Sequence, residues 1–138
     1  MGAAKAGVTL VTFDEKDSED ALHQTLKDSG ARGLFFSPDS EAGEGATRRS
    51  IVEKLMPELA STYKGDSINL SAYPLLKSIT QTGFNNIRGI HTFKDSLVYA
   101  NPKYNCFSLP VNNASTQLYE CFRGGNRVSQ LSNGDIAE

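Results

Sequence analysis

Apolar and polar positions change their period several times along the chain. Val8-Thr9-Leu10-Val11-Thr12-Phe13 is short, uncharged and rich in β-branched and aromatic side chains, which predicts a buried strand. The charged break Asp14 to Asp17 follows. Asp17 then reads as a helix cap, with Glu19 and Asp20 complementing the positive end of the helix dipole. Ala21, Leu22, Leu26 and Ser29 recur on one face, and Gly30 supplies a left-handed stop. Gly33-Leu34-Phe35-Phe36, closed by Ser37-Pro38, predicts a second strand. Strand, helix and strand in that order make a βαβ unit with parallel strands.

Residues Asp39 to Ala46 are small and acidic and predict a loop. A second helix is expected from about Thr47 to Leu59, with Ile51, Val52, Leu55, Met56 and Leu59 as its apolar stripe. Pro57 lies inside that stripe and should kink or end the helix near Leu55. Tyr63 to Asn69 reads as polar linker, Leu75 to Thr80 as a third strand stopped by Gly83, and Ser96 to Ala100 as a fourth before the Asn101-Pro102 break. From Thr116 the pattern alternates, with Leu118, Glu120 and Phe122 on one side and Gln117, Tyr119 and Cys121 on the other. Gly124-Gly125 offers a hairpin turn, Arg127 to Leu131 the returning strand, and Ser132-Asn133-Gly134-Asp135 a turn able to cap a helix. The expected fold is therefore α/β: a partial Rossmann-like parallel sheet with flanking helices over residues 1–100, and a tail over 101–138 with a β-hairpin or irregular course.

Charge and composition narrow the function classes. The 138 residues carry 14 Lys and Arg against 16 Asp and Glu, a net charge of −2 and a pI near 5.7. A nucleic-acid-binding domain would be expected above a pI of about 9. No run approaches the ~20 apolar residues of a membrane span. Met1 to Phe13 lacks both the apolar core of a signal peptide and the Arg-rich bias of a transit peptide. The expectation is a soluble, intracellular protein, with the sequons at Asn69 and Asn113 as chance matches. Cys106 and Cys121 are too few for a thiolate metal site and read as half-buried thiols or one bridge.

Candidate chemistry is sparse. Gly43-Glu44-Gly45 is a GxG fragment whose acidic neighbours would repel phosphate. His23 and His91 lack a partner at metal-ligand spacing, and Ser50 and Ser78 lack a GxSxG setting. Arg48 and Arg49 open the second helix, the unfavourable end for positive charge. They read either as a solvated pair or as contacts for an external acidic partner. Tyr104, Phe107, Tyr119 and Phe122 read either as a partner surface or as the face of a small hairpin.

A resemblance adds to this reading. Gly2-Ala3-Ala4-Lys5-Ala6-Gly7, the strand to Phe13, and Asp28-Ser29-Gly30-Ala31-Arg32-Gly33-Leu34-Phe35 follow the order G-A-x-x-A-G, V-x-V, helix, D-S-G-A-+-x-L-F. Tyr73-Pro74-Leu75-Leu76-Lys77-Ser78-Ile79 with Thr82-Gly83 is similar to F-P-x-L-K-x-I with its turn, and Phe93-Lys94-Asp95-Ser96-Leu97 to F-x-D-L-L. In these segments the chain resembles the acyl-CoA synthetase branch of the adenylate-forming synthetases, best over residues 1–38. Gly124 to Glu138 is similar in outline to that family's opening G-x-x-x-S/T-Y-x-E-L, but lies downstream of Gly2 rather than upstream.

The resemblance implies acyl adenylate and thioester chemistry with ATP, Mg2+ and coenzyme A as the family's cofactors. This chain lacks the family's Ser/Thr/Gly-rich loop ending in P-K and its aromatic-Gly-x-T-E motif. No catalytic, cofactor-binding or metal residue is therefore carried over, and no cofactor is expected on this chain. Two expectations follow. One is a non-catalytic accessory segment of fatty acid metabolism, in cytoplasm or mitochondrion, whose open sheet is covered by a protein partner or by the remainder of a longer chain. The other is a fragment of an active ATP-dependent fatty acyl-CoA ligase.

Overall fold

The uncharged opening run forms a strand over Leu10–Thr12 (β1). A helix follows over Glu19–Ser29 (α1), then a strand over Gly33–Phe36 (β2) and a helix over Arg48–Leu55 (α2). Pro57 ends α2 as expected, and the chain continues as a 3-10 turn over Pro57–Ser61. Strands over Ser78–Gln81 (β3) and His91–Thr92 (β4) precede a short helix over Phe93–Val98 (α3). A hairpin of Gln117–Arg123 (β5) and Asn126–Ser132 (β6) leads into Asn133–Ile136 (α4). This is a computed structural model, and it describes residue 3 and residues 6–42, 45–63, 66–98 and 116–136. Cys106, Tyr104, Phe107 and Asn113 lie outside the described residues, as does the Gly43-Glu44 part of the GxG fragment.

The protein is mixed α/β, with the strands of the described residues in two sheets of three. One sheet has the order β1-β5-β6 and the other β2-β3-β4. β1 pairs with β5 in parallel, Leu10 opposite Tyr119. β5 and β6 are antiparallel, while β2, β3 and β4 are all parallel. Thus β1 and β2 flank α1 but are not hydrogen-bonded neighbours, which corrects the simple βαβ unit. Their partners come from far along the chain. Thr9 Oγ1 donates to the Gln117 carbonyl at 2.8 Å, and Thr12 Oγ1 meets the Tyr119 hydroxyl at 2.8 Å. On the other sheet, Gly33 lies opposite Ser78, where an added Cβ would stand 3.2 Å from the Ser78 hydroxyl oxygen.

The main core is built by α1, α2 and the inner face of β2 and β3, with Leu22, Val52, Met56 and Ile79 essentially inaccessible. The stretch read as polar linker contributes to it, because Ile68 is buried. β3 is shorter than expected. Leu75 is exposed, and Leu76 turns inward by donating its N–H to the Tyr73 carbonyl at 3.0 Å. The fourth strand read at Ser96 to Ala100 is corrected: residues through Val98 belong to α3, and the strand precedes it at His91–Thr92. The cause is local. Thr92 Oγ1 accepts from the Asp95 N–H at 3.4 Å and donates to the Asp95 carboxylate at 2.5 Å, a reciprocal cap that starts a helix.

Two other caps were placed differently or more fully than the sequence indicated. Ser18, not Asp17, caps α1, accepting from the Ala21 N–H at 3.3 Å. Gly30 ends that helix at φ 59, the left-handed conformation expected of it. Gly124 and Gly125 both have positive φ, which a two-residue primed hairpin turn requires. Asp135 accepts from both the Ser132 N–H and hydroxyl, at 2.7 and 2.8 Å, so the final turn does cap α4.

Candidate functional site: an open-edged cleft

A cleft of about 900 Å³ lies where the two sheets come together. All residues from Val8 to Phe13 and from Gly33 to Phe36 line it. A strand that turned a face toward a cavity would contribute alternate residues. Lining by consecutive residues means that β1 and β2 present their edges. Each is an outer strand of its sheet, so each has one side unpaired among the described residues. The floor comes from α1, through Thr25, Leu26 and Ser29. The amphipathic spacing that buries Leu22 and Leu26 carries Thr25 to the same side, where it is 2% exposed.

Two polar atoms on that floor have no partner among the described residues: the hydroxyls of Thr25 and Ser29 are buried and unbonded. Buried hydroxyls normally find a hydrogen-bond partner, and leaving one without costs about 1–3 kcal/mol. The buried charged groups of the cleft, by contrast, are engaged. Glu120 is buried, accepts from the Gln117 amide and lies 3.3 Å from the Arg127 guanidinium. Glu15 and Arg32, one of each sign, stand exposed in its lining.

Arg48 closes one end. It is neither solvated nor turned toward an outside partner, which corrects both readings of its position. It is 2% exposed, and its guanidinium donates to the Asp17 carbonyl at 3.0 Å, to the Asp14 carbonyl at 3.5 Å and to the Glu15 carbonyl. The same group stacks over the Phe13 ring at 5.4 Å. Burial lowers its pKa from the ordinary arginine value, and the nearby charges of Asp17, Glu15 and Asp14 oppose that shift. Asp17 completes the junction. Its carboxylate accepts the Gly124 N–H at 2.9 Å and the Asp14 N–H at 3.3 Å, so the hairpin turn, the loop after β1 and α2 are tied at one point. Arg49 is the solvated member, paired with Glu53 at 2.8 Å one turn on.

The remaining candidates have local roles. His23 Nδ1 meets the Tyr73 hydroxyl at 2.5 Å, edge-on to its ring. Ser50 donates to the Thr47 carbonyl at 2.8 Å. Ser78 and His91 sit at the strand starts of β3 and β4, with neither drawn into the cleft. Cys121 is a free, half-buried thiol on β5. Tyr119 bonds Thr12 and Phe122 is buried under Arg127, so both belong to the hairpin's packing. Among the described residues no group of three His, Cys, Asp or Glu side chains could hold a metal ion, and no helix is long and apolar enough to cross a membrane. Sequence reasoning marked Val8 to Phe13 as a strand, Ser29 as a position on the apolar face of the helix and Arg48 as a candidate contact, but missed Thr25 and the cleft that these residues share. The uncharged run at Gly33 to Phe36 was the signal for the second wall.

No protein-family profile matches the chain, and no curated protein matches it in sequence.

Proposed function

We propose that this chain is a non-catalytic, acyl-CoA synthetase-like structural segment of a larger protein assembly, and that its function is to offer an incomplete sheet to covering polypeptide. One observation carries the reading: two uncharged strand edges, β1 and β2, face a single cleft and have no strand partner there among the described residues. Open parallel strands are normally covered, and unprotected edges invite pairing with another chain. The order of motifs from Gly2 to Phe36 supports the family part of the proposal. Sedimentation of the purified chain across a wide concentration range tests it. Association with other chains, or co-sedimentation in a larger particle from its source, is expected. A clean monomer at every concentration, alone in its source, would count decisively against it.

A further inference from the structure

The described residues form four outer sheet edges, and they are not alike. β6 is a polar edge, Asn126-Arg127-Val128-Ser129-Gln130-Leu131-Ser132, and β4 spans only two residues. Charge and shortness are the usual means by which proteins keep an edge from pairing. β1 and β2 lack the charge: Val8 to Phe13 and Gly33 to Phe36 contain no charged residue and no proline, and both runs line the cleft along their whole length although the paired part of β1 is only Leu10–Thr12. These two edges, and not the protected pair, line the same cleft.

From this we infer that the cleft is a strand-insertion site. It accepts one extended, uncharged segment of a partner polypeptide, hydrogen-bonded to β1 on one side and β2 on the other, joining the two sheets as β6-β5-β1-insert-β2-β3-β4. The inference rests on the proposed function and names the place and chemistry of the contact.

Three features fit that occupant. A six-residue strand, at about 3.3 Å per residue, about 4.8 Å between strands and about 10 Å between layers, fills roughly 950 Å³. The cleft has about 900 Å³. The buried charges are already engaged, Arg48 by three carbonyls and Glu120 by Gln117 and Arg127, and the exposed Glu15 and Arg32 are one of each sign, so the lining has no net charge to favour a charged insert. Thr25 and Ser29 line the floor with hydroxyls that are buried without partners among the described residues, and a small side-chain rotation would let them bond the hydroxyl or carbonyl groups of an inserted segment.

The test titrates the full, isotope-labelled chain with an acetylated and amidated hexapeptide of alternating threonine and valine. A control peptide is N-methylated at every second residue, which removes the donors from one edge. Saturable protection of amides within residues 8–13 and 33–36 is expected, abolished by N-methylation. Thr25→Val should weaken the peptide roughly tenfold, the worth of one hydrogen bond, while leaving the melting temperature of the free chain unchanged or raised. A merely structural Thr25 would not move the peptide affinity.

Protection of the same amides on self-dimerisation, without peptide, would overturn the inference in favour of a second copy. Stronger protection by octanoate than by the peptide would overturn it in favour of a small apolar ligand. If the amides stay unprotected while the chain still sediments in a larger particle, the inference falls and the proposed function survives with another surface. If β1 and β2 prove to be paired directly in a lone monomer, both fall.

Discussion

At the scale of single residues, the junction around Arg48 shows a charged side chain used as a core element. Three carbonyls of the loop after β1 end on one guanidinium. Arg48→Met keeps the apolar stem and strands those acceptors. Hydrogen bonds to a charged donor are worth about 1.5–3 kcal/mol each and are not additive on one group, so urea unfolding should show a loss of about 3 kcal/mol. Arg48→Lys should recover less than half of it, because an ammonium cannot fork to several carbonyls. A loss below about 1 kcal/mol would mean that Asp17 alone holds the loop. Glu58 gives a second, separate prediction. Its carboxylate accepts from the Ser71 hydroxyl at 2.6 Å and the Ser71 N–H at 3.2 Å, which hold its pKa below the ordinary carboxylate value. A depressed folded pKa contributes stability above the ordinary carboxylate range and loses it as pH falls through the folded value. Ser71→Ala should therefore move the Glu58 titration upward, read directly from its carboxyl carbon shift by NMR. An unmoved titration would show that the Ser71 contacts are not formed in solution.

At the scale of elements, what the sequence made legible was local and what it hid was distant. The end of α2 at Leu55 follows from Pro57, the end of α1 from Gly30, and the hairpin from Gly124-Gly125 between alternating runs. Each signal lies within a few residues of its effect. The partner of β1 lies about a hundred positions away on β5, and nothing within Val8 to Phe13 specifies it. For the same reason Thr25 reads as one polar residue among others on α1 until the cleft above it is known. The burial of Arg48 was hidden because its acceptors are backbone groups, which leave no mark in composition. Even within reach of local signals, Ser96 to Ala100 was misread, since the Thr92 and Asp95 cap lay just upstream of the window. The hairpin tip offers the element-scale test. Gly125 has φ 79, and a Cβ there would come within 3.1 Å of Gln24 Cβ and 3.2 Å of Ala21 Cα on α1. Gly124 has φ 57 and open space around it. Both alanine variants incur the left-handed penalty of about 1–2 kcal/mol, and only Gly125→Ala adds a clash with the helix. Thermal unfolding should rank Gly125→Ala below Gly124→Ala. Equal melting temperatures would mean that the turn does not rest on α1.

At the scale of the whole molecule, the two sheets share the helices between them but no hydrogen-bonded strand pair. Each sheet has an inner strand with neighbours on both sides: β5 between β1 and β6, and β3 between β2 and β4. Amide exchange reports how often such groups open, and groups at unpaired edges exchange soonest. The free chain should therefore show its slowest strand amides in β5 and β3, with those of β1 and β2 that point into the cleft exchanging orders of magnitude faster. β6 is also an edge, with most of its residues exposed, and should exchange as fast as β1. The distinguishing measurement is the change on entering a larger particle. Covering polypeptide in the cleft would slow β1 and β2 together and leave β6 and β4 as they were, because the insert touches the first pair alone. Uniform slowing of all four edges would instead indicate a global gain in stability without a specific seat. Slowing confined to β6 would place the contact on the opposite side of the hairpin and remove the cleft from the account. The pairwise response of β1 and β2 is the signature to look for, since one strand inserted between two sheets cannot protect one wall without the other.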